Sequence, residues 1–196
     1  SNWSSLCSGL SYGAGASIYH QDDSLYRPDY NGNWHPERWQ TYLHEEYYAY
    51  TKDASFLWGL FIANMFDFGS AGNTSGEGRG INDLGMVTFD RKYRKDAFYF
   101  YKANWNLTDP FVHIAEKRWD RRVTRTQDIT VFSNAAHVEL FLNGVSQGTK
   151  VPINGTFTWE GLELSDGMNS LEARSESAID YAEIEIAFDR LRHGIK

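Results

Sequence analysis

The chain has 196 residues, of which 41% are hydrophobic and 16% aromatic, so it can bury a core and is not intrinsically disordered. Its 26 acidic and 19 basic residues give a formal net charge of -7, which disfavours nucleic acid as a partner. No apolar run approaches the roughly 20 residues that cross a bilayer, so no membrane partner is predicted. The single cysteine, Cys7, excludes an internal disulfide and a cysteine-based zinc site.

Two helices and one buried strand are predicted in the first part of the chain. A helix over 36–53 begins at Pro36, where a first-turn proline is tolerated. Residues at helical spacing follow it, and they form a largely apolar stripe of Trp39, Tyr42, Leu43, Tyr47 and Tyr50 together with Glu46. The apolar run over 56–63 predicts a strand that is buried on both faces, as in a parallel sheet. A glycine-rich loop over 69–85 follows, and then a helix over 93–105 with Ala97, Phe98, Tyr101 and Trp105 on one stripe.

Two local motifs in this part are interpreted as structural. The segment from His44 to Tyr48 begins like a helical zinc motif but lacks the second histidine, so a solvated helix face is predicted and no metal site. The glycines over 76–80 resemble a phosphate cradle only in composition, because no strand leads into them. They are predicted to form a flexible loop.

The second part of the chain alternates apolar and polar residues with a period of two. This pattern predicts strands around Ile129, around Leu140, and over 156–164, 169–175 and 181–188. Asn143-Gly144 predicts a tight hairpin turn. Short strands at this spacing predict an antiparallel β-sandwich of immunoglobulin type. A basic joint, Lys117–Arg122, separates the two parts, and the domain boundary is predicted between residues 118 and 119.

Four Asn-x-Ser/Thr sequons occur in turn-like settings, and no signal peptide is predicted in the first nine residues. Glycosylation is predicted at three of the sequons, and these are Asn73, Asn106 and Asn154. The fourth is at Asn2. The sequons favour a secreted, extracellular protein, and unmodified surface asparagines remain the alternative interpretation.

Several motifs, in this order and spacing, resemble the C-terminal part of glycoside hydrolase family 2, and most closely its β-galactosidase-type members. They are Leu10-Ser11-Tyr12-Gly13-Ala14-Gly15-Ala16, Tyr19-His20-Gln21-Asp22, Asn64-Met65-Phe66-Asp67-Phe68-Gly69 and Gly80-Ile81-Asn82-Asp83-Leu84-Gly85, with continuations over 88–92 and 95–105. The segment over 138–144 looks like part of the sandwich domain that such enzymes carry behind the barrel. The resemblance covers nearly the whole chain.

The resemblance implies an α/β fold over 1–118, formed by the last two β/α units of a (β/α)8 barrel. Barrel strands would lie near 6–14 and over 56–66, and an immunoglobulin-like sandwich would occupy 119–196. A whole barrel takes about 250 residues, so six barrel strands are expected upstream of this chain or are absent. The parent reaction would be the retaining hydrolysis of terminal β-galactosides, with no cofactor.

The chain is predicted to contain no catalytic residue of this reaction. The family's acid/base glutamate belongs to the fourth barrel strand, which this chain lacks. The nucleophile motif Ser-Glu-Tyr-Gly is matched by Leu10-Ser11-Tyr12-Gly13, so either Ser11 replaces the glutamate or the glutamate is deleted before Tyr12. An unactivated serine cannot replace a carboxylate. Alanine at position 63 also replaces a tryptophan that the family uses as a wall for the sugar ring. The isolated chain is therefore predicted to be inactive.

Substrate-binding positions carried over from the family are Tyr12, His20, Asn64, Asp67 and Asn82, and a capping or loop-ordering role remains the alternative for each. Relatives that cleave glucuronides hold the substrate carboxylate with an Asn-x-Lys pair. Here Asn82-Asp83-Leu84 lacks the lysine, which favours a galactoside.

The alternative function is a non-catalytic carbohydrate-binding or interaction module. The expected partners are a carbohydrate, and either the missing N-terminal barrel fragment or a second copy of the chain.

Overall fold

The computed structural model describes residues 37–72 and 80–187, which form two compact units that divide between Phe98 and Tyr99. Helix α2 (Asp96–Trp105) begins in the first unit and ends in the second. The boundary predicted between residues 118 and 119 stays a prediction, because compactness alone does not locate a domain boundary. In this part of the chain no helix is long and apolar enough to span a membrane.

Helix α1 (Glu37–Thr51) has nearly the predicted bounds but buries the opposite face. Its buried residues are Glu37, Gln40, Thr41 and His44. In the predicted apolar stripe, Tyr42 is 46% and Tyr50 is 83% exposed. The prediction of a solvated face at His44 is therefore wrong. Buried polar side chains are stable only when they are hydrogen-bonded. Glu37 and Gln40 bond to residues more than forty positions away, which helical periodicity does not include.

The strand predicted over 56–66 is not formed. Residues 54–65 have no strand conformation, and Phe56, Trp58 and Phe61 are 79%, 90% and 83% exposed. A strand exists only when a neighbour accepts and donates its backbone hydrogen bonds. Within the described residues, the backbone of this segment pairs with a neighbour only at its end. There the N–H groups of Met86 and Val87 donate to the carbonyls of Asn64 and Met65, and Phe66 forms an isolated parallel bridge with Val87.

A small antiparallel ladder follows, in which strand β1 (Phe68–Gly69) pairs with strand β2 (Ile81–Asn82). Strand β2 lies within the glycine-rich loop that was predicted over 69–85, and residues 73–79 of that loop lie outside the described part. Helix α2 begins three residues later than predicted. Ala97 and Tyr101 are buried as expected, whereas Trp105 is 55% exposed, so the buried stripe ends before it.

The second unit is a β-sandwich of two sheets, which confirms the predicted all-β architecture. The strands are β3 (Val112–Ile114), β4 (Arg121–Arg122), β5 (Thr126–Ser133), β6 (Val138–Leu142), β7 (Val145–Lys150), β8 (Thr156–Glu163), β9 (Gly167–Arg174) and β10 (Ile179–Ile186). One sheet has the order β3-β5-β8 and the other has the order β4-β10-β9-β6-β7. Every pair is antiparallel except β4 with β10, which is parallel.

The two sheets of the sandwich enclose one hydrophobic core, because alternate residues of the long strands point inward. Its most deeply buried members are Ile114, Val131, Val138, Leu140, Phe157, Leu171, Ala173 and Ile184. The predicted hairpin joins β6 to β7. Asn143 and Gly144 have φ values of 51° and 78°, and these left-handed conformations are the ones that a two-residue type I′ turn requires.

Candidate functional site

Three of the predicted substrate-binding residues lie on two adjacent segments of the first unit. Asn64 and Asp67 belong to 64–69, and Asn82 belongs to 80–87. The backbone N–H of Met86 donates to the carbonyl of Asn64 at 3.2 Å, and Phe68 pairs with Asn82 in the β1–β2 ladder. The structure therefore brings these three residues to one place. Tyr12 and His20, the Ser11 position and Asn73 lie outside the described residues.

Asp67 is fully buried and forms an ion pair with Lys95, which is also fully buried. Its Oδ1 accepts hydrogen bonds from Lys95 Nζ at 2.9 Å and from the backbone N–H of Gly85 at 2.8 Å. Lys95 Nζ also donates to the carbonyl of Asp83 at 2.9 Å. The pair therefore ties residue 67 to the 83–85 turn and to the start of helix α2.

The environment of Asp67 disfavours its charged form. Burial raises the pKa of the Asp67 carboxyl above its ordinary value, although Lys95 and the Gly85 N–H act in the opposite direction. Within residues 37–72 and 80–187, its second oxygen, Oδ2, is buried and has no hydrogen-bond partner. In this structure Asp67 orders the backbone, and its predicted contact with substrate stays a prediction.

Position 85 requires a glycine, because the backbone of Phe66 and Asp67 passes very close to it. A Cβ atom at this position would lie 2.0 Å from the backbone nitrogen of Asp67 and 2.6 Å from its Oδ1. Real Cβ atoms do not approach other atoms so closely, so only glycine lets the 83–85 turn reach the Asp67 carboxylate.

Asn82 and Asn64 are half-buried. Asn82 Oδ1 accepts a hydrogen bond from the backbone N–H of Leu84 at 3.0 Å, which orders the turn that leads to Gly85. Asn64 follows a cis peptide bond after Ala63. The turn-ordering contact of Asn82 is the kind of structural role that the sequence left open, and substrate binding by either residue stays a prediction.

The buried face of α1 completes this cluster with polar contacts that the sequence did not indicate. Glu37 Oε1 accepts a hydrogen bond from the backbone N–H of Asp96 at 2.6 Å, at the first residue of α2. Gln40 Nε2 donates to the carbonyls of Leu84 and Gly85 at 3.4 and 3.3 Å. No local pattern marks these residues, because their partners lie more than forty positions away.

His44 lies on the same buried face of α1. Burial lowers the pKa of its imidazole to about 4, so this side chain is neutral at pH 7. Among the residues that the structure describes, no three His, Cys, Asp or Glu side chains form a group that could hold a metal ion.

Two of the predicted glycosylation sites are described. Asn106 is half-buried, and its Oδ1 accepts hydrogen bonds from the backbone N–H groups of Thr108 and Asp109 at 3.2 Å. Asn154 is also half-buried and has a positive φ of 50°. Both asparagines therefore lie in turns, as the sequence suggests, and their modification stays a prediction.

Comparison with known proteins points to one class of enzyme, the glycoside hydrolases. A family described as a domain of unknown function (DUF4982) matches residues 125–176, within the sandwich. A β-glucuronidase of Bacteroides fragilis is 54% identical over 159 residues, which is 81% of this chain and 23% of the relative. The β-galactosidase BoGH2A of Bacteroides ovatus is 31% identical over 55% of this chain and 12% of its own length.

Solved structures agree with these sequence relatives. An FMN-binding β-glucuronidase from Facaelibacterium prausnitzii matches with a TM-score of 0.79 and 34% identity, over 89% of this chain and 26% of that one. A Bacteroides fragilis protein described as a β-galactosidase matches with a TM-score of 0.83 and 31% identity, over 92% and 28% of the two chains.

These matches confirm the resemblance to glycoside hydrolase family 2. The chain is homologous to the C-terminal region of its β-glucuronidases and β-galactosidases. It spans about a quarter of the length of the two Bacteroides fragilis proteins and of the FMN-binding β-glucuronidase.

Proposed function

We propose that this chain is the C-terminal portion of a retaining glycoside hydrolase whose catalytic carboxylates come from the rest of a longer polypeptide. The observation that carries the proposal is the 54% identity to a glycosidase over 81% of the chain. Retaining hydrolysis needs a nucleophilic carboxylate and an acid/base carboxylate about 5–5.5 Å apart. In the positions that match the family's nucleophile motif, this chain has Ser11 and Tyr12 and no glutamate.

The first unit would be the end of a (β/α)8 barrel, and the sandwich would be of immunoglobulin type. The strand orders support the second assignment. The order β3-β5-β8 corresponds to A-B-E of an immunoglobulin domain, and β10-β9-β6 corresponds to G-F-C. The segment over 56–66 would become the eighth barrel strand once neighbouring strands are supplied.

An exposed aromatic surface supports a missing partner for the first unit. This surface consists of Tyr50, Phe56, Trp58 and Phe61, each at least 79% exposed. Exposed apolar patches of this kind mark interaction sites or cause association. We propose that the preceding barrel strands cover this surface in the longer polypeptide, and that a second copy of the chain covers it when those strands are absent.

The proposed substrate is a carbohydrate with a terminal β-galactoside. The absence of a lysine at position 84, two residues after Asn82, supports this choice, because no cation is present there to hold a glucuronide carboxylate. A β-glucuronide is the second candidate, and the name of the 54% identical relative favours it. Substrate contacts are proposed for Tyr12, His20, Asn64, Asp67 and Asn82. Asp67 would need to become accessible, since it is fully buried here.

We also propose that the protein is secreted and carries glycans. The four sequons support this proposal, and the turns at Asn106 and Asn154 are compatible with modification. Asn73 is the third proposed site.

A graft into the Bacteroides fragilis β-glucuronidase tests the proposed function. Residues 37–187 of this chain would replace the matching residues of that enzyme, whose own carboxylates remain in place. We expect the graft to hydrolyse aryl glycosides with kcat/KM within roughly tenfold of the host, because the exchanged part completes the same site.

The same graft distinguishes the two candidate substrates. A galactoside preference predicts that the ratio of kcat/KM for aryl β-galactoside over aryl β-glucuronide rises relative to the host. A soluble, folded graft with no turnover on either substrate would contradict the proposed function. An unchanged preference for the glucuronide would favour the second candidate.

A further inference from the structure

A small cleft opens at one end of the sandwich, between three connections. They are the α2–β3 segment over 106–111, the β5–β6 segment over 134–137 and the β9–β10 turn over 175–178. The cleft has a volume of about 200 Å³. Pockets for drug-sized ligands measure roughly 300–1,000 Å³, so this cleft is of a size for a single small ring.

The walls of the cleft are fixed by side chains that bond to the backbone. Asn134 Nδ2 donates to the carbonyls of Asn106 and Asp109 at 2.7 and 2.9 Å, and Asn134 Oδ1 accepts from the N–H of Phe111 at 3.3 Å. Ser175 Oγ accepts from the N–H of Ala178 at 3.1 Å, which closes the β9–β10 turn. The backbone of the three connections is therefore ordered before any ligand binds, which reduces the entropic cost of binding.

Three polar side chains that line the cleft are not used by this scaffold. In the described part of the chain, the His137 imidazole, the Glu176 carboxylate and the Ser177 hydroxyl form no side-chain hydrogen bond. His137, Glu176 and Ser177 are all exposed. Together they offer a carboxylate acceptor, an imidazole donor and a hydroxyl that can donate or accept.

Apart from Asn134 and Ser175, the remaining lining residues of the cleft are apolar, and no lining residue is a lysine or arginine. Leu107, which is 76% exposed, lines the cleft together with Pro110, Ala135 and Ala136. A carboxylate without a neighbouring cation repels anionic ligands and accepts hydrogen bonds from neutral hydroxyl groups.

We infer that this cleft binds one neutral sugar ring. The hydroxyl groups of the ring would donate to Glu176 and bond to His137 and Ser177, while its C–H face would pack on Leu107 and Pro110. The cleft combines four apolar lining residues with five polar ones, which suits a ligand that has both hydroxyl groups and a C–H face. The inference does not depend on hydrolase activity, because binding is measured without turnover.

Amide NMR titration of the full 196-residue chain tests the inference, with methyl β-galactoside and methyl β-glucoside as neutral probes and methyl β-glucuronide as the anionic probe. We expect saturable shifts at Leu107, His137, Glu176 and Ser177 with a neutral probe. Glu176→Ala should weaken this binding at least about tenfold, because hydrogen bonds to charged groups are the stronger ones. Glu160→Ala, at an exposed position of β8, is the matched control and should change nothing.

Three results would overturn the inference. The first is the absence of saturable shifts at these residues with both neutral probes. The second is binding of the glucuronide as tight as that of the neutral sugars, which would show that the carboxylate does not select against anions. A loss of binding in Glu160→Ala equal to that in Glu176→Ala would place the site elsewhere and would also overturn it.

Discussion

Lys95→Met is expected to lower the free energy of unfolding of the 64–98 region by about 3–5 kcal/mol, because it leaves the Asp67 carboxylate buried without its counter-ion. Both side chains have no solvent exposure, and their 2.9 Å contact is the only ion pair that Asp67 makes among the described residues. Burial already disfavours the charged form of Asp67. Native-state hydrogen exchange of peptides that cover residues 64–98 measures the free energy of local unfolding.

Lys92→Met is the matched control. It removes the same cationic group three positions earlier, where Lys92 pairs with Asp90 at 3.3 Å and its side chain is 73% exposed. Exposed ion pairs contribute about 0–1 kcal/mol, so this variant should resemble the parent. Equal effects of the two substitutions would show that the buried pair does not stabilise the region.

Gly85→Ala is expected to destabilise the same region by about 1–3 kcal/mol or more. The added methyl group would meet backbone atoms of Phe66 and Asp67 at 2.2 and 2.0 Å, and backbone cannot move aside as a flexible side chain does. The 83–85 turn would have to retreat, which lengthens the hydrogen bond from Gly85 N–H to Asp67. The same hydrogen-exchange measurement over residues 64–98 gives the decrease in the free energy of unfolding.

Gly59→Ala provides the corresponding control, since no atom lies within 4 Å of a Cβ built at Gly59. The free energy of unfolding of the Gly59→Ala variant should remain within about 0.5 kcal/mol of that of the parent. If Gly85→Ala is as stable as Gly59→Ala, the close approach of the turn to Asp67 is not a constraint in solution.

The sandwich could be predicted from the sequence because its determinants are local. Alternating apolar residues located β5, β6, β8, β9 and β10 to within a few positions, and Asn143-Gly144 located the β6–β7 turn. Strands β3 and β4 were not predicted. They have three and two residues, which is too short for alternation to be detected.

The first unit was harder to predict because its determinants are distant in sequence. Helical spacing located α1 but not its buried face, since Glu37 and Gln40 are buried through bonds to residues 84–96. Apolar composition predicted a strand over 56–63, but a strand also needs neighbours, which composition does not supply. The Asp67–Lys95 pair joins residues 28 positions apart, and no spacing rule connects them.

The most direct test of the proposed incomplete catalytic site is intact-mass spectrometry of the purified chain after incubation with 2-fluoro glycosides of galactose and glucuronic acid. These reagents form a stable ester with the nucleophilic carboxylate of a retaining enzyme. We predict an unchanged mass with both reagents, because the matching position has Ser11 or a deletion before Tyr12. A glycosyl adduct on any residue of the chain would contradict the account.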